Sequence, residues 1–482
     1  MRQAPEFGSL KRRVVSGVFV TGAAQVMRQV VQLGAVAVLA RLLGPGPYGL
    51  VALATVVVGL LQLLVDLGLG ATAVREGGLT SQQESTLLRL NLGAALAVGL
   101  AVQVAAPWIA ALLRERELAW VLRGISPGFL LAGALQTRRA VLQRAMRFRL
   151  LAAIELLSVA SGAAVAIALA LLGTGDASLV IGSAAQQGTW CLAVLLAAGL
   201  PPRAPLNLAS VRPLLGFGGH VTAFSVVNYV SRTLDNALVG SLMGRDALGL
   251  YEKAYALMML PITQISAVIS QVMFPALSAV REDRERFRFL YLGAIRKVAG
   301  LAAPLSALCV VASGPVVRLL LGPRFVGAIP IFSVLSLVMG LQALLSSTGW
   351  LYMAGGRMRL MLRMGVFNTA VVCAAIIAGA LQGTPLAVAR WYAGSVALLF
   401  LPTILIALRA CGIPVRLFFG RVGPPAVSAI AACLVIAALP SLPVPGRLLL
   451  TAGTYCAVHA AIDWRALLDL FRFLDPRRAL GI

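Results

Sequence analysis

Acidic side chains are scarce in this chain of 482 residues. There are 17 Asp and Glu, and charged residues of both signs amount to 12%, against about 25% in a soluble protein. Hydrophobic residues make up 60% and the mean hydropathy is +0.91, so a water-soluble fold is excluded and the chain reads as a polytopic membrane protein. Histidine occurs only at 220 and 459, both at expected helix ends and too far apart to suggest a paired site, so ordinary packing explains them. The six cysteines, at 191, 309, 373, 411, 433 and 456, include no CxxC pair and no histidine at ligand spacing. That removes a zinc site or a disulfide framework and leaves them as small hydrophobes. No GxxxxGK[ST] pattern occurs, so the chain does not hydrolyse nucleotide through a P-loop.

Basic residues, 41 of them and all but Lys11, Lys253 and Lys297 arginine, set a net charge of +24. In a soluble protein that balance would suggest a nucleic acid, but retention of basic residues in cytoplasmic loops gives the same sum, and no nucleic-acid partner is expected. The opening MRQAPEFGSLKRRVVSG precedes an apolar stretch that contains Arg28, which suits a retained first span rather than a cleaved signal peptide.

Apolar runs near the length of a bilayer crossing fall at 14–39, 48–70, 87–110, 118–136, 150–172, 177–199, 216–243, 248–278, 290–313, 327–353, 360–381, 386–408, 423–440 and 447–463. They predict an all-α integral membrane protein of about fourteen spans. With the N-terminus in the cytoplasm, twenty-nine Lys and Arg face that side, eight face the other and four lie in spans. Both termini are therefore expected in the cytoplasm. Nearly all loops are short, and no outer loop is long enough for a globular catalytic domain.

The chain repeats itself. RLLGPGPYGL at 41–50 and SLMGRDALGL at 241–250 share Leu42, Gly44, Gly49 and Leu50 with Leu242, Gly244, Gly249 and Leu250, at an offset of 200. DLGLGATAVRE (66–76) and SQVMFPALSAVRE (270–282) both close a second span with AVRE. Six spans separate the copies, an even number, so the repeats are parallel and related by an axis near the membrane normal. The expected organisation is a tail 1–13, a six-helix lobe 14–200, a linker 201–213, a second six-helix lobe 214–409, two further spans within 410–464 and a tail 465–482, with a central cavity between pseudo-symmetric lobes.

Charge inside a span costs at least about 2.5–3.5 kcal/mol unless it faces protein or water. The same offset aligns Gln25, Arg28, Gln29 and Gln32 with Ser225, Asn228, Tyr229 and Arg232, one helix face in each copy. These stripes are expected to line the cavity, with Arg28, Arg232, Gln25, Gln29, Gln32 and Asn228 meeting substrate. Asp235 lies one turn beyond Arg232, and the two could instead neutralise each other and brace the lobe. Arg28 has no acid at helical spacing, which favours an anionic ligand or a partner from the other lobe. Asp66 suits capping, gate bracing or ion coupling. Glu155, Glu252 and Lys253 lie near helix ends, where long side chains reach the interface; Glu252 joins Asp235, Asn236 and Asp66 as a candidate for ion coupling or gating. The REDRERFR run at 281–288 reads as a solvated loop.

RLLGPGPYGL, DLGLGATAVRE, DNALVGSLMGRDALGLYEKAYALMMLP (235–261) and LGPRFVGAIP (321–330) resemble, in order and spacing, the polysaccharide transporter family. These are the Wzx-type flippases of the multidrug/oligosaccharidyl-lipid/polysaccharide superfamily. The resemblance covers nearly the whole chain. It implies a two-lobed helical fold that moves undecaprenyl-diphosphate-linked sugar units to the periplasmic leaflet by alternating access, for lipopolysaccharide or exopolysaccharide biosynthesis, alongside polymerase and export machinery. The family's basic cavity residues carry over to Arg28 and Arg232, its Asp-Asn pair to Asp235 and Asn236, and its acidic end of span 2 to Asp66. No deep Lys or Arg falls in spans 9–12, a departure from the family. No cofactor is expected, only coupling to a proton or sodium gradient. A lipid II flippase is a close rival. A cation-coupled multidrug exporter fits an arginine-bearing cavity poorly, and a membrane glycan polymerase or ligase lacks the periplasmic loop it needs. A scaffold would not require matched polar stripes.

Overall fold

The computed structural model describes residues 7–66, 81–144, 147–199, 204–205, 207–439 and 442–474. Among them there is no strand. Contacts divide the chain into two units, Met1–Gly249 with Leu320–Arg324, and Leu250–Leu319 with Phe325–Ile482.

The first unit contains α1 (Phe7–Leu43), α2 (Pro45–Asp66), α3 (Ser81–Leu112), α4 (Leu118–Ile125), α5 (Pro127–Arg144), α6 (Phe148–Leu171), α7 (Ala177–Ala198), α8 (Leu208–Met243) and the start of α9 (Arg245–Ala279). In a bilayer, lipid tails compete with apolar side chains, so helices associate where small residues let backbones approach. On α6 a buried stripe of Ser158, Gly162, Ala166 and Ala170 recurs every fourth residue and meets α7 at Gly182. A Cβ on Gly162 would lie 2.9 Å from the Gly182 carbonyl oxygen, and one on Gly182 would lie 3.0 Å from the Gly162 oxygen. α1 runs along α6, whereas α8 packs on α2 and α3.

The second unit contains the rest of α9, then α10 (Arg284–Val311), α11 (Ser313–Leu320), a 3-10 turn (Pro323–Phe325, of which only Phe325 belongs to this unit), α12 (Ala328–Ser346), α13 (Thr348–Ala354), α14 (Met358–Ala380), α15 (Pro385–Ala410), α16 (Val415–Ala437) and α17 (Val444–Leu474). α14 crosses α15 closely, with Gly379 facing the Val388 backbone. α10 is started by Asp283, whose carboxylate accepts from the Glu285 and Arg286 amides. α17 breaks at Asp463 (φ −149°, ψ 74°), whose carboxylate is gripped at 3.0 Å by Arg296 of α10.

The repeat found in sequence is also a repeat in backbone. Gly44 and Gly244 take φ of +82° and +86° between consecutive helices, a conformation that favours glycine, and each amide closes the preceding helix through Ala40 and Gly240. The two turns then meet reciprocally within the first unit. A Cβ on Gly49 would overlap the Arg245 carbonyl oxygen, and a Cβ on Gly249 would overlap the Pro45 carbonyl oxygen. Positions 45 and 245, like 49 and 249, are equivalents at the offset of 200, so this contact is its own mirror under a local twofold. The turn is held from a third side, where Arg324 donates to the Leu42 carbonyl at 2.8 Å and Gly322 packs on Arg41.

Among the described residues, ten helical segments are long and apolar enough to cross a membrane. The helices at 118–144, 208–243, 245–279 and 444–474 are not among them, and these carry many of the charges, including Arg123, Arg232, Asp235, Glu252 and Lys253. Leu112, Leu196 and Leu381, 78–81% exposed, present apolar surface that water would not tolerate in quantity. Element ends differ from the sequence expectation. α1 begins at Phe7 inside the expected tail, the linker 201–213 is helical from Leu208, and α17 continues past 463 to Leu474. Ala204 and Asn207 are tied to α3 by Ser85, Thr86 and Arg89. The second AVRE stretch closes α9, while the first, at 73–76, lies outside the described residues.

Gly49→Ala or Gly249→Ala must push two backbones apart, so either is expected to lower the stability of the detergent-purified protein by roughly 1–3 kcal/mol, as overpacked cores do. Gly293, helical with open space around its Cα, is the contrast: Gly293→Ala is expected to be neutral or stabilising by up to about 1 kcal/mol. Thermal unfolding of the three variants distinguishes a backbone contact from a general dislike of side chains at glycine positions.

Candidate functional site

α1 and α8 carry the two polar stripes, and all the stripe residues fall in the first unit. Among the described residues the two helices do not form a packed pair with one another. They approach at the turns that follow them, where bare glycines allow it. Of the stripe residues, Gln32, Asn228 and Arg232 are exposed, and Gln25, Arg28, Gln29 and Ser225 are half-buried.

Arg28 has an acidic partner that its own helix does not supply. The packing of α1 on α6 places Arg28 Nη1 3.9 Å from Glu155 Oε2, and Arg139 Nη2 of α5 lies 3.5 Å from the other oxygen of the same carboxylate. The Arg139 guanidinium also sits over the Trp190 ring of α7, 5.7 Å from its centroid. Glu155 is thus a shared counter-ion, not a side chain reaching for the interface. Two guanidiniums against one carboxylate leave one positive charge over, and Arg28 Nε is buried with no hydrogen-bond partner among the described residues.

On α8, Asp235 is buried, and its Oδ1 accepts from the backbone N–H of Asn236 at 2.9 Å. Arg232 and Asp235 do not form an ion pair, so the self-neutralising brace that their spacing allowed is not made, and Arg232 has no ionic partner among the described residues. Tyr229 leaves the stripe altogether. Its hydroxyl donates to the Thr55 carbonyl of α2 at 2.7 Å, in space that exists because residue 59 is glycine. Glu252 is engaged by its neighbour Lys253 at 3.0 Å. Asp66 ends α2, and its side chain lies outside the described residues, as does that of His220. His459 is buried and stacked on Tyr455, which fits packing. Among the described residues no group of three or more His, Cys, Asp or Glu could hold a metal.

A second charged cluster closes the end of the first unit near the reciprocal turns. Arg245, the first residue of α9, pairs with Glu117 at the start of α4 and with Asp176 before α7, the latter at 3.2 Å. Burial raises the Asp176 carboxyl above its ordinary 3.8; its hydrogen bond with Glu117 adds to the shift and Arg245 opposes it. The sequence around Arg245 gives no sign of its partners, which lie 69 and 128 residues away.

A family model described as polysaccharide biosynthesis protein matches residues 38–330. The lipopolysaccharide biosynthesis protein WzxC of Escherichia coli (strain K12) is 27% identical over 377 residues, covering 77% of this chain and 76% of that protein. Among solved structures, the lipid II flippase MurJ in an inward closed conformation matches with a TM-score of 0.75 over 93% of this chain and 100% of that chain, at 14% identity. A multidrug resistance MATE family transporter of the MOP superfamily, in an inward-facing conformation, matches with a TM-score of 0.63 over 81% and 98%, at 17% identity. At these identities the likeness to both structures is one of fold.

Because the folded state holds the Asp176 proton more tightly than the unfolded chain does, the stability this group contributes is fully present below pH 3.8 and is lost as pH rises through its raised value. Asp176→Asn removes that loss while Arg245 keeps Glu117. The variant is expected to melt higher than the parent at pH 8, and the difference should shrink as pH falls toward 4. A melting difference that grows toward low pH contradicts this assignment.

Proposed function

Since the chain belongs to the polysaccharide biosynthesis protein family, we propose that it is a flippase of the Wzx type, carrying oligosaccharide units linked to undecaprenyl diphosphate from the cytoplasmic to the periplasmic leaflet of the bacterial inner membrane. The observation that carries this reading is the unbalanced positive charge of Arg28 and Arg139 against Glu155. A guanidinium in a low-dielectric setting calls for an anion, and a diphosphate offers oxygens that its planar fork grips in pairs. A cavity built for cationic drugs would carry the opposite imbalance, which speaks against the exporter reading.

The proposed architecture is fourteen spans, twelve of them in two parallel six-helix repeats and two appended, with both termini in the cytoplasm. The asymmetry of Lys and Arg among the loops supports that orientation. Transport would proceed by alternating access. The reciprocal contact at Gly49 and Gly249, with the Arg245 cluster beside it, would form the outer closure, and the stripe residues Gln25, Arg28, Gln29, Gln32, Asn228 and Arg232 would receive substrate while it is shut. Asp235, buried and adjoining Asn236, is the proposed coupling site for a proton or sodium ion, with Asp66 and Glu252 as gating residues. Polymerase and export machinery would take the product on the outer face.

Two measurements test this. Arg28→Gln leaves Glu155 still paired with Arg139, so transport should suffer more than folding. The lost charge-assisted contact costs on the order of 1.5–3 kcal/mol, or roughly 10- to 150-fold in affinity. In a strain lacking its own flippase, surface glycan should fall and lipid-linked intermediates should accumulate on the cytoplasmic side, at equal membrane levels of the protein. Arg28→Lys should rescue only in part. Surface glycan equal to that of the parent removes Arg28 from the substrate site. In liposomes, Asp235→Asn is expected to abolish gradient-driven transport while substrate still binds; transport at the normal rate would take the coupling role away from Asp235.

A further inference from the structure

The second unit holds a basic cavity that takes no part in the function proposed above. Its volume is about 280 Å³, and its lining includes Arg281 and Arg284 at the start of α10, Arg357 just before α14 and Arg409 at the end of α15, together with the Gly412 turn; no carboxylate lines it. None of the four guanidiniums has an ion pair among the described residues. Of the acids beside these arginines in sequence, Asp283 caps α10 and pairs with Arg286 at 3.2 Å, and Glu282 and Glu285 are exposed and outside the lining. The surrounding turns are shaped to admit the arginines. Gly356 has φ of +69°, and a Cβ there would come within 2.5 Å of Arg281 Nη2, so the guanidinium lies across bare backbone. The Gly412 carbonyl is held at 2.8 Å by Arg288, which fixes the opposite rim.

Four exposed guanidiniums around one open concavity, with no ion pair among the described residues, make a positive site that favours an anion. Phosphate oxygens are the anionic acceptors that several guanidiniums can share. A second observation indicates where the phosphate comes from. From Arg357 onward, α14 exposes Met358, Leu362 and Val366, one residue per turn on one face and each more than half exposed. An apolar stripe that begins beside a basic cavity of this size fits a molecule with a charged head and acyl chains. We infer that this cavity binds the phosphate headgroup of an anionic membrane lipid, with its chains lying along α14. The orientation proposed above decides only which leaflet supplies the lipid; binding itself does not depend on transport.

The test is native mass spectrometry of the full chain, delipidated in detergent and titrated with phosphatidylglycerol, with phosphatidylcholine as the zwitterionic comparison and inorganic phosphate and pyrophosphate as soluble competitors. The parent should retain phosphatidylglycerol over phosphatidylcholine. The double variant Arg357→Gln/Arg409→Gln should bind it at least about tenfold more weakly. Arg416→Gln/Arg421→Gln removes the same charge from equally exposed positions outside the lining and should stay within about twofold of the parent. Should the glutamine pair fail to fold, Arg357→Lys/Arg409→Lys decides by the same readout, with a severalfold loss expected because charge is kept and the planar fork is not. Equal loss in both glutamine pairs, or none in either, overturns the inference. Displacement of the lipid by millimolar phosphate or pyrophosphate alone overturns the lipid as occupant and leaves a soluble phosphate in its place. Because no transport is read, failure here leaves the flippase reading standing, and failure of that reading leaves this result intact.

Discussion

Two backbones that meet without side chains between them are the constraint on which the first unit is arranged. Gly49 faces the Arg245 carbonyl and Gly249 faces the Pro45 carbonyl, so the starts of α2 and α9 stand closer than any residue with a Cβ would permit. From that contact follow the left-handed glycines that end α1 and α8, the clamp of Arg324 on Leu42, and the position of Arg245 between Glu117 and Asp176. It also separates the polar helices: joined at their ends, α1 and α8 can turn their lengths to other partners, α6 for one and α2 for the other.

Charge within the helices is distributed by a related economy of space. Glu155 serves two arginines because α1, α5 and α6 converge on it, and the aromatic face of Trp190 takes part of the remaining positive charge. Burying one more carboxylate there would need another full desolvation, whereas an anionic ligand brings its own charge only while bound. On α8 the chain solves a neighbouring problem by turning Tyr229 into the notch at Gly59, which leaves Arg232 and Asn228 as the open part of the stripe.

Much of this was legible in the chain itself. The offset of 200 identified the reciprocal turns, because a repeat keeps its glycines where backbone geometry demands them, and apolar runs located the membrane-length helices. The stripe on α1 was visible because helical periodicity is local. What escaped were pairings made across long stretches of sequence: Glu155 lies 127 residues from Arg28, and nothing in either helix announces the other. Arg232 and Asp235 are the opposite case, a pairing that sequence left open. Their spacing suits an ion pair, but none is formed between them, and one carboxylate oxygen of Asp235 accepts from the adjacent amide of Asn236. The run at 201–213 looked like a linker because of its prolines, but its later part continues as α8.

A surface that is complementary to its own copy is what a homodimer with twofold symmetry uses to assemble. In this chain both copies are tethered through the intervening helices, so their encounter is intramolecular and carries none of the translational cost of joining separate molecules. The mating patch can consequently be very small, two helix starts and their bare glycines, and still remain occupied. A patch that size also holds too little buried surface to be permanent. Duplication and fusion would thus turn an association site into a latch, whose strength is set by how few atoms it contains.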